Sequence, residues 1–332
     1  MGVINTQSSL YVYCEALIPI KGDYRYLRKT LESLEIAILQ GLRVCIVYSE
    51  LDFLSLEEGI DHLTRKNFRF IDGSGLSLAE KLNLGVTTSN AEFILRIDAD
   101  DLITDSRIEK QVNFLRDNPQ VAVVGSRMRY IDTEGKFIGE SRKFNLPPKQ
   151  LFQVGCLLSH PSVLMRRDEI ISCGSYIEFS KIDNISIAED FFLWARVISK
   201  YEIYILDECL TDYRIHSLQT SKRFDNERHC ASLLIRGSLI LGIPCVQTHP
   251  NELQWNSSSL KSMLREVRNV NSDFALIWQK DFSNTVVKSL LQKKAWKDLI
   301  YLRKISDVFL IIHSVVFSIK MIRNSQYRQV HL

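Results

Sequence analysis

Apolar positions along this chain switch between two spacings. "YVYCEALIPI" (residues 11–20), "LRVCIVYS" (42–49), "FRFID" (68–72) and "FILRI" (93–97) are short apolar runs rich in β-branched and aromatic residues, as buried strands require. Between them the spacing lengthens. "YRYLRKTLESLEIAIL" sets Leu27, Leu31, Leu34 and Ile38 on one helical stripe, "EEGIDHLTRK" reads as a short helix, and "DSRIEKQVNFLRDNP" repeats apolar residues at helical intervals. "GSGLSLAEKLNLGVTTS" predicts a turn at Gly73 and Gly75 that opens a helix; it lacks the spacing of a nucleotide-phosphate loop. This alternation predicts an α/β fold with a mostly parallel central sheet flanked by helices. After Pro119, "VAVVGSRMRYID" and "GKFIGESRKF" predict a strand and a hairpin around "TEGK". From Asn226 onward the strand signal gives way to helical patterning, so the expected division is a body of residues 1–225 and a helical region of residues 226–332.

Charge changes the picture in one respect. The chain has 332 residues, 45% hydrophobic and 24% charged, with a net charge of +3, an ordinary globular composition that does not suit a dedicated nucleic-acid binder. Residues 226–332 nevertheless carry 15 Lys+Arg against 7 Asp+Glu, leaving 27 against 32 of the chain's 42 and 39 for residues 1–225. An acidic body is thus followed by a basic tail. Its last segment, "DVFLIIHSVVFSIKMIRNSQYR", is apolar from Val308 to Ile319, too short to span a bilayer, and admits two readings: a membrane-surface helix or a helix packed on the core. Seven scattered cysteines with no CxxC pair indicate reduced core residues of a cytoplasmic protein, and the N-terminus has no basic segment leading into an apolar one, so no secretory signal is expected.

The candidate chemistry is acidic. "RIDADD" puts Asp98, Asp100 and Asp101 at the carboxyl end of the fourth strand, the edge where open α/β sheets bind ligands. Three carboxylates so close need a compensating cation, and a hard divalent metal bridging to phosphate oxygens would supply one. The alternative is a helix start, in which Asp105 or Ser106 caps and Glu109 reaches back; that accounts for Asp105 and Ser106 but not for Asp98 and Asp100. A second acidic pair, Glu189 and Asp190, begins the helix of "AEDFFLWARV", where the helix dipole keeps a carboxylate ionised and fit to accept a proton, or where the pair merely caps the helix. "LLSHPSVLMRRDEI" and "TDYRIHSLQTSKR" add His160, Arg214 and His216, each weak alone.

In combination and order these blocks resemble the family 2 glycosyltransferases of the GT-A fold, particularly bacterial enzymes that build surface polysaccharides. "LIPIKGDYRYLRKTLESL", "GLSLAEKLNLGVTTSNAEFILRIDADD", "SRIEKQVNFLRDNPQVAVVGSRMRYID", "HPSVLMRR", "AEDFFLWARV" and "YRIHSLQTS" carry the likeness, over about residues 14 to 222. The resemblance implies a Rossmann-like nucleotide-binding half and an inverting transfer of a hexose or N-acetylhexosamine from a UDP-sugar to a lipid-linked oligosaccharide, as in O-antigen or capsule synthesis. It implies Mn²⁺ or Mg²⁺ held by Asp100 and Asp98, with His216 reaching the metal or diphosphate. Asp190, beside Glu189, would be the base that deprotonates the acceptor hydroxyl. Pro19, Tyr48, Glu50, Lys81, Asn83, Arg96, Asp98 and His160 would line the nucleotide-sugar site. The chain departs from the family after its second strand: an Asp-rich turn that usually touches the base is replaced by "VCIVYSELDF", leaving Tyr48 to stack on the base and Glu50 to accept a hydrogen bond from it. A lipid-linked acceptor would favour peripheral contact of the tail with the inner face of the cytoplasmic membrane. The rival readings are a nucleotidyltransferase, which would release pyrophosphate, and a catalytically silent scaffold subunit of a polysaccharide assembly complex.

Overall fold

Strand β1 (Cys14–Lys21) is buried over its first seven residues, and its apolar run leaves no solvent face. The computed structural model describes residues 10–22, 24–49, 65–144, 146–217, 219, 224–255 and 258–292. The "EEGIDHLTRK" helix, apart from its last two residues, and the apolar tail segment lie outside them. Around β1 the parallel strands β2 (Arg43–Ser49), β3 (Phe68–Asp72) and β4 (Phe93–Arg96) assemble in the order β3-β2-β1-β4. Helix α1 (Leu27–Leu39) buries Leu27, Leu31, Leu34 and Ile38, the stripe its spacing predicts. Helix α2 (Leu78–Thr87) begins in a capping box: Ser77 Oγ accepts the Glu80 N–H at 3.3 Å, and the Ser77 N–H donates to Glu80 Oε2 at 2.8 Å. Gly85 lets α2 lie directly on β1, since a Cβ there would come within 2.3 Å of Leu17 Cδ1.

The sheet continues past β4 in mixed orientation. After β5 (Leu102–Ile103) and α3 (Arg107–Asp117) come β6 (Val121–Ile131) and β7 (Phe137–Glu140), the hairpin expected around "TEGK". Then follow α4 (Pro148–Val154), β8 (Leu164–Arg166), α5 (Arg167–Ser172), the two-stranded ribbon β9 (Ser180–Ile182) and β10 (Ile185–Ile187), α6 (Glu189–Val197) and β11 (Glu202–Arg214). Strand β8 inserts antiparallel between β4 and β6, and the order runs on as β4-β8-β6-β11-β5. The strands β1–β4 form an all-parallel half of a nine-stranded mixed sheet, and β6 and β11 add a further parallel pair. Start-of-helix capping at α3 does not occur as expected: Ser106 has helical dihedrals and no capping bond, and the Arg107 N–H instead donates to Thr104 O at 3.0 Å.

The chain divides into two compact units, Met1–Phe152 with Cys156–Lys222, and Gln153–Gly155 with Arg223–Leu332. In the second, α7 (Asp225–Leu241) packs with α8 (Ser258–Val267) and α9 (Asp273–Gln292). Gly237 admits Met263, whose Cγ would lie 2.5 Å from an added Cβ, and the buried Trp278 indole N–H donates to Leu233 O at 2.6 Å. The seven cysteines form no disulfide. Among the described residues no helix is long and apolar enough to cross a membrane.

Candidate active site

Strand β4 is buried along its whole length, and the chain leaves it through Ile97 directly into the acidic loop. Antiparallel pairing of β5 with β11 then ties the far end of that loop to the strand that carries Arg214. Carboxylate oxygens of Asp98, Asp100 and Asp101 come within 4.8 Å of one another. They are not equivalent. Asp98 and Asp100 are half-buried, whereas Asp101 is fully buried, with Oδ1 accepting the Arg214 backbone N–H at 2.9 Å and Oδ2 unpartnered. Burial, then the charge of Asp98, raises the Asp100 pKa against the pull of His216, whose Nε2 lies 2.8 Å from Asp100 Oδ2. Burial followed by the charges of Asp98 and Asp100 pushes Asp101 well above the usual carboxylate range. The oxygen donors of Asp98 and Asp100, with one imidazole beside them, suit a hard divalent cation such as Mn²⁺ or Mg²⁺.

Behind the loop two guanidinium groups are sealed from water. Arg96 is 2% exposed and its Nη1 lies 2.6 Å from Asp98 Oδ1, in an ion pair not aligned as a hydrogen bond. Burial opposes its charge, but Asp98 and its other acidic neighbours outweigh that and raise its pKa. Arg107 donates to Gln111 Oε1 at 3.1 Å and to the carbonyls of Arg96 and Val163 at 3.0 and 3.2 Å. Burial pushes it down to about 9 against the pull of Asp101, still high enough to stay charged at neutral pH. His160 sits in this wall, its Nε2 2.7 Å from Tyr176 Oη and its ring edge-on to Trp194; burial first, and Arg96 second, hold it well below the usual imidazole value, so it is neutral.

The second acidic pair starts α6. The β9–β10 turn, Asp183 and Asn184, has positive φ at both residues, and Ala188 enters the helix at φ 57°, a left-handed conformation unusual for alanine. Glu189 is buried and Asp190 half-buried. Asp190 Oδ1 accepts the Phe191 N–H at 2.7 Å in the first turn of α6, which has no side-chain cap, and the Cys156 thiol lies 3.8 Å from its Oδ2. Tyr176 joins the two constellations: burial first raises its phenol pKa, Arg96 opposes, and the charges of Asp190, Glu189 and Asp98 add to the rise.

Asp98, Asp100, His216 and Arg96 therefore gather in one place. Pro19 is buried in β1 opposite Val47, and Tyr48 is half-buried at the end of β2. The buried Lys81 of α2 reaches Ser49 Oγ on that same strand end. Asn83 lies half-buried on α2, and Glu50 falls outside the described residues. The sequence assigned no role to Tyr176, Arg107 or Cys156; the burial of Arg107, within the block that follows the acidic loop, and the placing of Tyr176 and Cys156 come from the fold.

Residues 16–173 match the family Glycosyl transferase family 2. Over that segment, just under half of its length, the chain is similar to the family 2 glycosyltransferases. Among relatives of this glycosyltransferase, the O-antigen biosynthesis glycosyltransferase WbnJ of Escherichia coli is 27% identical over 230 residues, 64% of this chain and 83% of that protein. The amylovoran biosynthesis glycosyltransferase AmsE of Erwinia amylovora is 28% identical over 152 residues, 45% of this chain and 54% of that protein, so the match spans about half of that relative. Residues 1–349 of S. aureus TarS, solved in complex with UDP-GlcNAc, share the fold at a TM-score of 0.52 and 14% identity, over 82% of this chain and 81% of that one.

Proposed function

We propose that this glycosyltransferase is metal-dependent and inverting, and that it moves a hexose or N-acetylhexosamine from a UDP-sugar to a lipid-linked oligosaccharide during surface-polysaccharide synthesis. The observation that carries the reading is the gathering of Asp98, Asp100 and His216 at the carboxyl end of β4, a donor set that asks for a divalent cation. The names of WbnJ and AmsE support the polysaccharide context, and the UDP-GlcNAc complex of TarS supports the donor class. Asp98 and Asp100 would hold Mn²⁺ or Mg²⁺ with His216 beside them; that ion, when bound, neutralises the departing diphosphate.

The remaining work falls to this chain's own side chains. Arg96 holds Asp98 in place from the buried side. Lys81, at the end of β2, offers an ammonium to the nucleotide. Asp190 takes the proton from the acceptor hydroxyl as that oxygen bonds to the anomeric carbon and the bond from that carbon to the diphosphate breaks, which inverts the centre. Peripheral contact with the inner membrane face rests on the basic tail, from about Lys288 onward, where an anionic surface would attract Lys and Arg. Residues 1–225 would constitute the catalytic domain and residues 226–332 the tail region. Calorimetric titration with UDP-GlcNAc tests the donor and metal parts together. Binding should be strong with Mn²⁺ and weak in chelator; equal binding in both conditions contradicts the metal role.

A further inference from the structure

Arg214 lies two residues before His216 and is fully buried, so it can touch neither donor nor acceptor. Two of its bonds nevertheless hold the loop that bears Asp100. Its backbone N–H donates to Asp101 Oδ1 at 2.9 Å, and its Nε donates to the carbonyl of Asp100 at 2.9 Å. Its Nη1 spans to the β6–β7 turn, donating to Asp132 O at 2.9 Å and Thr133 O at 3.3 Å. The guanidinium carbon lies 4.5 Å from the centre of the Tyr26 ring, and that ring is 5.7 Å from the imidazole of His216. One rigid fork thus joins the acidic loop, the β6–β7 turn and the β1–α1 loop at the root of the segment carrying His216.

We infer that Arg214 is the positioning residue that sets the separation of Asp100 and His216 and thereby shapes the cation site. Without the fork, among the described residues, the acidic loop and the His216 segment would be joined through the Arg214 N–H to Asp101, the His216–Asp100 contact and the short β5–β11 pairing. A lysine keeps the charge but offers one ammonium where the guanidinium reaches two loops at once. The inference rests on the metal reading above.

The test is Mn²⁺ binding to the full chain in the presence of UDP, followed by the electron paramagnetic resonance of free Mn²⁺, for the parent, Arg214→Lys, His216→Ala and the double variant. Each single substitution should weaken Mn²⁺ binding roughly 10- to 100-fold, the range for partners that orient metal ligands. Because Arg214 acts through His216, the double variant should bind about as His216→Ala does. If Arg214→Lys does not fold, Tyr26→Ala, which strips the ring from the guanidinium, goes through the same cycle with the same sign expected. A folded Arg214→Lys that binds Mn²⁺ as the parent does, or a loss that adds fully to that of His216→Ala, overturns the positioning role and leaves the metal reading standing. A parent that binds no Mn²⁺ sinks the metal reading and this inference with it.

Discussion

Replacing Asp100 by Asn should make the metal-free protein more stable while removing its activity. Asp98, Asp100 and Asp101 offer oxygens within 4.8 Å of one another, and at an effective dielectric of about 20 two unit charges that far apart repel by about 3.5 kcal/mol. Asp100 also bears a burial penalty that the amide does not. Against these stand the attraction to His216, whose Nε2 can still bond the Asn carbonyl, and partial screening of a half-buried group. The net gain should be roughly 1–2 kcal/mol at pH 7.5 in chelator, read as a higher urea midpoint at unchanged slope. The sign has a pH signature. A carboxyl raised in the folded state costs stability in full above its folded pKa and nothing below its unfolded value of about 3.9. The advantage of Asn should therefore shrink as pH falls toward 4. Mn²⁺ should reverse the order: at a hundred times its dissociation constant a ligand stabilises the parent by about 2.7 kcal/mol, and Asp100→Asn should gain little. An Asn variant less stable than the parent in chelator, or equally stabilised by Mn²⁺, would refute the reasoning.

Asp190→Asn keeps the shape and the bond from the Phe191 N–H but cannot take a proton; kcat should fall by roughly 10² to 10⁴ while donor affinity measured by calorimetry stays near that of the parent. Weakened donor binding with normal turnover would instead make it a structural cap. Gly85→Ala would drive a Cβ to within 2.3 Å of Leu17 and should cost about 1–3 kcal/mol in urea unfolding; a neutral result would mean that α2 can lift off β1 freely. His160, neutral in the fold, should make stability fall as pH drops below about 6.5, by up to ~1.4 kcal/mol per pH unit, and His160→Gln should flatten that limb in unfolding curves taken between pH 7.5 and 5. Truncation near Lys288 should release the protein from anionic vesicles and spare transfer to a soluble acceptor; a truncated chain that still sediments with vesicles places the membrane contact elsewhere.

The parallel half of the sheet was legible because buried parallel strands read as unbroken apolar runs and α1 shows its stripe in four leucine and isoleucine positions. The acidic loop was legible too, since carboxylates at a strand end have few structural uses. What stayed hidden depends on distant pairing. Nothing in "LMR" announces that β8 inserts antiparallel between β4 and β6, and three residues are too few for any periodicity. The division of labour among the acids was equally hidden: Asp101 differs from its neighbours because the fold buries it fully, with β11 delivering the Arg214 N–H to it. Tyr176 sits among residues with no motif, and the meaning of both Tyr176 and Arg107 comes from burial beside Arg96. Helix capping at Ser106 did not form, because that residue already has helical dihedrals and its side chain makes no bond to the helix.

The central claim is transfer of a sugar from a nucleoside-diphosphate donor with inversion. The most direct measurement incubates the protein with a panel of nucleotide sugars, Mn²⁺ and lipid-linked oligosaccharide acceptors, and follows released nucleotide together with the anomeric configuration of the product by NMR. Acceptor-dependent release of nucleoside diphosphate, abolished by chelator and by Asp190→Asn, with the product anomer opposite to the donor's, is the predicted result. Release of a sugar phosphate, with the nucleotidyl group passed to the acceptor, would mark a nucleotidyltransferase. Retention of the donor's configuration, or no release with any donor and acceptor, would contradict the account.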